Sequence, residues 1–331
     1  MKLLLLYIPL VLASPCKIGP LPTDDFTLQV TNNPHLAPLS AIFNHSITVS
    51  QVLDSANRDL TKKSPPVGKG PLTVSWTWNA GDSNTLKWVP QGITSSADAD
   101  PSGKHDGRES LLVSWYSNLT GNVRVSFVDR AKGRYRHALL VEPSTDDNYV
   151  PVDVHAGGIV WSGDQLYVVD TTEGIRVFDM KNIWEVEIGD KVGKVGDKYT
   201  AAGYRTDSTL LVGEFVRDSS KNATRFTKYP LSTDSLRTNE DVVKATFAHC
   251  VNFERMQGAF ALGDKFHISR SNGRTPKAGD LFRWTVGKTA EVKNGWFMAG
   301  NEDLSYNSVR REYYTVSEYE KERFILGYKY S

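Results

Sequence analysis

The sequence predicts an all-β fold: one β-propeller of five blades, or six if another lies within residues 24–90. Three observations carry this prediction. Strand-favouring aromatics are abundant, with 14 Tyr, 13 Phe and 8 Trp in 331 residues. A short strand-like motif recurs five times along the chain at intervals typical of propeller blades. Helical periodicity is scarce, with one candidate around Pro38–Leu53.

The five copies are Leu111–Trp115, Leu166–Asp170, Leu210–Glu214, Phe266–Arg270 and Tyr314–Glu318. Each has three apolar or aromatic positions, a small residue, and a larger, usually polar one. The last positions are 115, 170, 214, 270 and 318, which lie 55, 44, 56 and 48 residues apart. After a polar turn each copy meets a second strand-like run: Asn122–Asp129, Gly174–Met180, Ala223–Leu231, Asp280–Val286 and Arg323–Tyr330. Gly157–Asp164 aligns on Gln257–Asp264 without a gap, so Gly163-Asp164 and Gly263-Asp264 mark tight hairpins that need positive φ. Innermost strands then begin near Gln91-Gly92-Ile93, Ala201–Tyr204 and Glu302-Asp303-Leu304. A sheet of this size cannot bury both faces alone, so the repeats must stack into a ring; the competing architecture is an open sandwich. The last repeat lacks an outer strand, and Leu72–Trp78 alternates like a strand without a blade of its own. Pairing the two would close the ring.

The chain divides into a leader (1–14), an N-terminal extension (15–71) and the propeller (72–331). Met1-Lys2, the apolar run Leu3–Leu12 and Ala13-Ser14 have the order of a secretory signal peptide; the alternative is a buried N-terminal strand. The sequons at Asn44, Asn118 and Asn222 agree with export and glycosylation. The two cysteines, Cys16 and Cys250, form one long-range disulfide in an oxidising compartment, or stand as two free thiols.

Charge and motifs narrow the function classes. Thirty-nine Lys+Arg against 38 Asp+Glu leave a net charge of +1, without a basic footprint for nucleic acid. Past the leader no run is apolar enough for membrane insertion, and the expectation is a secreted monomer. The chain has no G-x-S-x-G elbow, H-E-x-x-H helix, P-loop, EF-hand loop or C-x-x-C pair. No cofactor is therefore called for, although calcium held by scattered channel carboxylates stays open. Asp98-Ala99-Asp100 reads as a solvated acidic loop.

Innermost strand starts crowd around a propeller's channel, where ligands enter. The repeat register places Gln91, His155, Tyr204, Gln257, Glu302 and Asp303 at one mouth. His155, Glu302 and Asp303 are the catalytic candidates, since an imidazole beside carboxylates suits acid–base work. Gln91, Gln257, Tyr204 and Trp115 are the ligand-binding candidates, and Gly157 and Gly258 would let a ligand approach the backbone. The same polar ring has a structural reading, in which it ties blades together. Asp170, Glu214, Arg270 and Glu318 read as inter-blade ion pairs.

Val89–Thr94, Val154–Ile159, Met256–Ala259, Asn301–Tyr306 and Ser317-Glu318-Tyr319 with Arg323-Phe324 together resemble a family of secreted β-propellers from filamentous fungi and actinomycetes. The resemblance spans roughly residues 72–331; it implies the fold, while most members lack an assigned activity. In plan the chain is also similar to a signal-bearing protein encoded among fungal trichothecene-biosynthesis enzymes. The expected function is to bind and transform a small organic molecule at the mouth by acid–base chemistry, through lactone or ester hydrolysis or through ring closure and isomerisation, and the likeness implies the last as a role in secondary metabolism. The competing class is a non-catalytic secreted binder or host-facing effector.

Overall fold

A computed structural model describes residues 16–43, 45–171, 173–185, 209–222, 224–231 and 242–330, together with the backbone of Leu5–Tyr7. The strands form five antiparallel sheets arranged as a five-bladed propeller. Blade I comprises Trp88–Ser95, Ser110–Ser117, Val123–Asp129 and Arg134–Leu139. Blade II holds Ile159–Ser162, Gln165–Asp170 and Gly174–Asp179. Thr209–Gly213, Thr224–Pro230 and Phe247–Val251 make up blade III. Met256–Leu262, Lys265–Arg270, Gly279–Thr285 and Glu291–Phe297 form blade IV, and blade V contains Ser305–Asn307, Glu312–Val316 and Phe324–Lys329. Both predicted hairpins are present, with φ of 54° at Gly163 and 62° at Gly263.

Leu72–Thr77 completes blade V, with Val74 opposite Gly327 and Trp76 opposite Ile325. The ring is thus closed by backbone pairing between the two ends of the propeller domain. Residues 24–90 hold no further blade. Of their short strands, Arg58–Asp59 borders blade I, Thr61–Lys62 borders Leu72–Thr77, and Ser46–Ile47 pairs with Ile183–Trp184 in a small separate sheet. Leu5–Tyr7, inside the apolar N-terminal run, pairs with Gly174–Asp179 on one side and Thr27–Thr31 on the other. The single predicted helix is two, Leu36–Ile42 and Val49–Asp54. The second starts where Thr48 and Gln51 form a reciprocal capping box, whose side-chain oxygens accept from backbone N–H groups that the first turn leaves unpaired.

Alternation along each strand feeds two neighbouring interfaces at once. Leu111, Val113 and Trp115 pack against Tyr314, Val316 and Ile325 of blade V. Leu112 lies with Ile159, Trp161 and Val168 of blade II. Comparable clusters join blades II and III through Tyr167 and Tyr229, III and IV through Phe226 and Phe266, and IV and V through Leu281 and Tyr328. Five interfaces, each with its own apolar core, leave no seam in the ring.

Cys16 and Cys250 are disulfide-bonded, and Gly19–Pro20 adds an edge strand to Phe247–Val251 just beyond the bond. The cross-link spans 234 residues, so it restricts the unfolded chain over most of its length. Cys250→Ala, or reduction of the wild type, is expected to remove about 2–4 kcal/mol of unfolding free energy while far-UV circular dichroism keeps its β spectrum. Chemical denaturation with and without reductant measures this, and an unchanged midpoint would show that the bond adds nothing.

Candidate functional site

In four blades the side chain of the repeat's last residue meets a partner on the following strand. Arg176 Nε donates to Asp170 at 2.8 Å, Arg225 to Glu214 at 2.8 and 2.5 Å, and Arg270 to Asp280 at 3.0 and 2.5 Å. In blade I the Arg124 guanidinium instead lies 4.7 Å from the Trp115 ring centre. These contacts lie within blades and correct the expectation of inter-blade pairs. Neighbouring strands of one sheet hold the two side chains close, whereas the cores of the blade interfaces are apolar.

Blade V departs from the pattern, and the departure leaves a carboxylate at the mouth. Arg323 Nε donates to the backbone carbonyl of Glu318 at 2.9 Å rather than to its side chain. The Glu318 carboxyl hydrogen-bonds Tyr319 and Gln91, and burial holds its pKa above the usual range despite those bonds. Glu302 lies beside it, 4% exposed, with Gln257 Nε2 donating to Oε1 at 3.3 Å. Burial, then the charges of Glu318 and Asp303, push the Glu302 pKa well above its ordinary value. Two carboxyls that share one poorly solvated space do not both ionise readily, so Glu302, the more buried, holds its proton more tightly than an ordinary carboxyl.

His155 joins this group through Tyr116. The two rings stack with centres 4.2 Å apart, and Tyr116 feels the charges of Glu318 and Glu302. One face of the imidazole remains exposed, yet the partial loss of water holds its pKa below the usual value, so His155 is neutral at pH 7. The mouth thus combines a buried carboxyl that holds its proton tightly, a second carboxyl, a neutral imidazole, a phenol and two amides. Such a set can donate a proton from Glu302 and accept one at His155, with Gln91 and Gln257 as orienting groups.

The other predicted residues lie elsewhere. Asp303 is buried and already engaged: its Oδ2 accepts the backbone N–H of Ile93 in blade I and of Ile159 in blade II, both at 3.1 Å. It ties three blades together, which removes it from the catalytic set. Trp115 is fully buried, with Nε1 donating to Ser126 at 2.7 Å, and cannot reach a ligand. Strand alternation explains the miss, because one step along the chain turns the side chain to the other face and Tyr116 is the aromatic at the mouth. Gly258 makes room for protein rather than ligand, since a Cβ there would sit 2.2 Å from the Leu304 nitrogen. Asn118 is exposed in the turn after Ser110–Ser117 and Asn222 is half-buried in a turn; Tyr204 and Asn44 fall outside the described residues.

Asp98 is a further correction. It is not solvated but buried beneath the mouth, where one oxygen accepts from Thr94 Oγ1, the Ser95 N–H and Ser305 Oγ at 2.9, 2.9 and 2.6 Å. The Ser95-x-x-Asp98 spacing, a capping-box pattern, is the sequence signal that identifies it. Among the described residues no three His, Cys, Asp or Glu side chains converge as a metal-ligand set. A buried Ser–His–Asp chain does occur in blade I: Ser126 Oγ lies 2.9 Å from His137 Nδ1, and His137 Nε2 lies 3.1 Å from Asp82. Ser126 has no solvent access and already accepts from Trp115, so this chain is core wiring rather than a nucleophile.

No protein-family model matches the chain, and no curated protein matches it. Among solved structures the chain is similar to the β-propeller domain of Cps50 (Swd1) from Myceliophteria thermophila. The two share 11% identity, with 82% of this chain and 99% of that one covered, at a TM-score of 0.34.

Asp303 titrates at about 7 in the fold, raised by burial against the pull of its backbone donors. Unfolded, its value is the model-peptide one, about 3.9. The folded chain therefore holds this proton more tightly, and the group's contribution to stability is full below about 3.9 and lost as pH rises through 7. His137, held down to about 4 by burial, acts in the opposite sense over an overlapping window, so the comparison must be against a variant. The stability of wild type relative to Asp303→Asn is expected to fall as pH is raised from about 4 to 7. Melting temperatures of both proteins across that window measure it, and a constant difference would contradict the assignment.

Proposed function

We propose that the protein is an extracytoplasmic propeller that binds a small organic molecule at the channel mouth and transforms it by acid–base chemistry. One observation carries this reading: the Glu302–Glu318 pair, with a buried, proton-retaining Glu302 among His155, Tyr116, Gln91 and Gln257. A purely structural carboxyl at this position would be satisfied by several backbone donors, as Asp303 is; among the described residues the Glu302 carboxyl accepts one long hydrogen bond, from Gln257. In the proposed reaction Glu302 protonates a carbonyl, ether or lactone oxygen of the substrate. Neutral His155 removes a proton or activates water. Ring closure, isomerisation and lactone or ester hydrolysis all need only these two roles. Passage through the secretory route agrees with the disulfide between Cys16 and Cys250.

The test is a metabolite comparison in the organism that encodes the protein, between wild type, a deletion strain, and the deletion complemented with Glu302→Gln. Deletion is expected to change the profile, and Glu302→Gln to restore it poorly, with turnover down by about 10²–10⁴-fold and melting unchanged. His155→Ala should act in the same direction. If the profile is the same in all strains, the protein is a binder rather than a catalyst. If melting and activity fall together, Glu302 holds blades instead of performing chemistry.

A further inference from the structure

A second cavity lies at the opposite end of blade IV from the mouth. The strand Lys265–Arg270 links the two ends: Arg270 is beside the channel opening, and Lys265 follows the Gly263-Asp264 hairpin at the far end. The cavity measures about 340 Å³ and is lined by Lys265, His267, Arg283, Trp284, Lys288 and Tyr330, with Glu291 at its edge. That volume is near the lower end of small-molecule sites. Its walls differ sharply in character from the acidic mouth. Three cations face it, while Glu291 is drawn to Lys293 at 2.6 Å and lies 3.8 Å from Arg283. Among the described residues no carboxylate is within ion-pairing distance of Lys265 or Lys288.

His267 supplies an independent observation. It is 3% exposed, and its Nε2 has no hydrogen-bond partner. Its Nδ1 lies 3.0 Å from the Tyr313 hydroxyl. Arg283, which can only donate, also hydrogen-bonds the Tyr313 oxygen. Nε2 is thus a buried ring nitrogen without a partner, and such groups are rare in folded proteins. Burial and the charges of Arg283 and Lys265 hold the ring down to about 4, so it is neutral and the surrounding field is positive. The apolar side of the space is aromatic: Tyr330 is 5.4 Å from His267 and 5.0 Å from Tyr306, and Phe260 stacks on His267 at 4.8 Å.

We infer that this cavity is a binding site for a small organic carboxylate with a flat apolar body. The carboxylate would meet Lys265, Arg283 and Lys288 above the buried His267 ring, while the apolar body lies along Trp284 and Tyr330. The site is separate from the mouth and does not depend on the chemistry proposed there.

Titration of the whole protein with naphthalene-2-carboxylate tests this, followed by tryptophan fluorescence and by NMR of the histidine side chains. Binding is expected to shift the His267 imidazole signals and to raise its titration midpoint, because an anion beside the ring favours the charged form. Naphthalene-2-carboxamide, equal in shape but neutral, should bind about tenfold or more weakly, the scale of one lost charge-assisted hydrogen bond. Lys265→Glu and Lys288→Glu, both exposed positions, should weaken the carboxylate by a similar factor without changing the melting temperature. Equal binding of carboxylate and carboxamide, equal binding by the variants, or no His267 response up to millimolar carboxylate would each overturn the site.

Discussion

A ring of sheets is stable only when its first and last strands meet, because any unpaired edge leaves a row of backbone donors and acceptors without partners. In this protein that condition is met by Leu72–Thr77, which pairs with Phe324–Lys329 at the far end of the chain. Everything else about the propeller follows from that pairing. It brings Val74 and Trp78 against Leu111 and Trp115, and so creates the interface between blades V and I. It also fixes the segment Asn301–Leu304 beside the openings of blades I and II. Without the closing strand, Asp303 would have no reason to meet the N–H groups of Ile93 and Ile159.

Glu302 and Asp303 show how adjacent residues acquire different roles from their hydrogen bonds alone. Both are buried carboxyls and both bind protons more tightly than usual. Asp303 faces inward, where backbone donors from three chain segments compensate part of its lost hydration. Glu302 is opposed in its ionisation by the Glu318 carboxyl and, among the described residues, supported by the Gln257 amide. A fully satisfied polar group rigidifies the centre; a poorly satisfied one at an opening is a group whose proton can move.

The Glu302–Glu318 pair and the concavity of blade IV differ in charge. Carboxyls gather at the mouth, where Arg323 clasps a backbone carbonyl instead of the Glu318 side chain. At the far end of blade IV the hairpin leaves Lys265, Arg283 and Lys288 around one concavity. A net charge of +1 conceals this separation, since the opposite charges cancel in the sum and not in space.

Local pattern determined much of this protein. The five repeats, their second strands, the Gly163 and Gly263 turns and the closing role of Leu72–Thr77 were all legible, because alternation and turn chemistry act over a few residues. Repeat register also brought Gln91, Gln257, Glu302 and His155 to one region, since equivalent positions in successive blades face the same channel. What register could not supply was the partner of each side chain. Trp115 and Tyr116 differ by one strand position, and only the packing of blade V against blade I decides that the first is core and the second is mouth. Asp98 read as solvated because its donor Ser305 comes from blade V, far along the chain, although Thr94 and Ser95 are its sequence neighbours. Asp303 read as catalytic for the same reason. Tertiary structure decided these cases because the free energy of a buried charge depends on which donors surround it, and those donors come from segments that only the closed ring brings together.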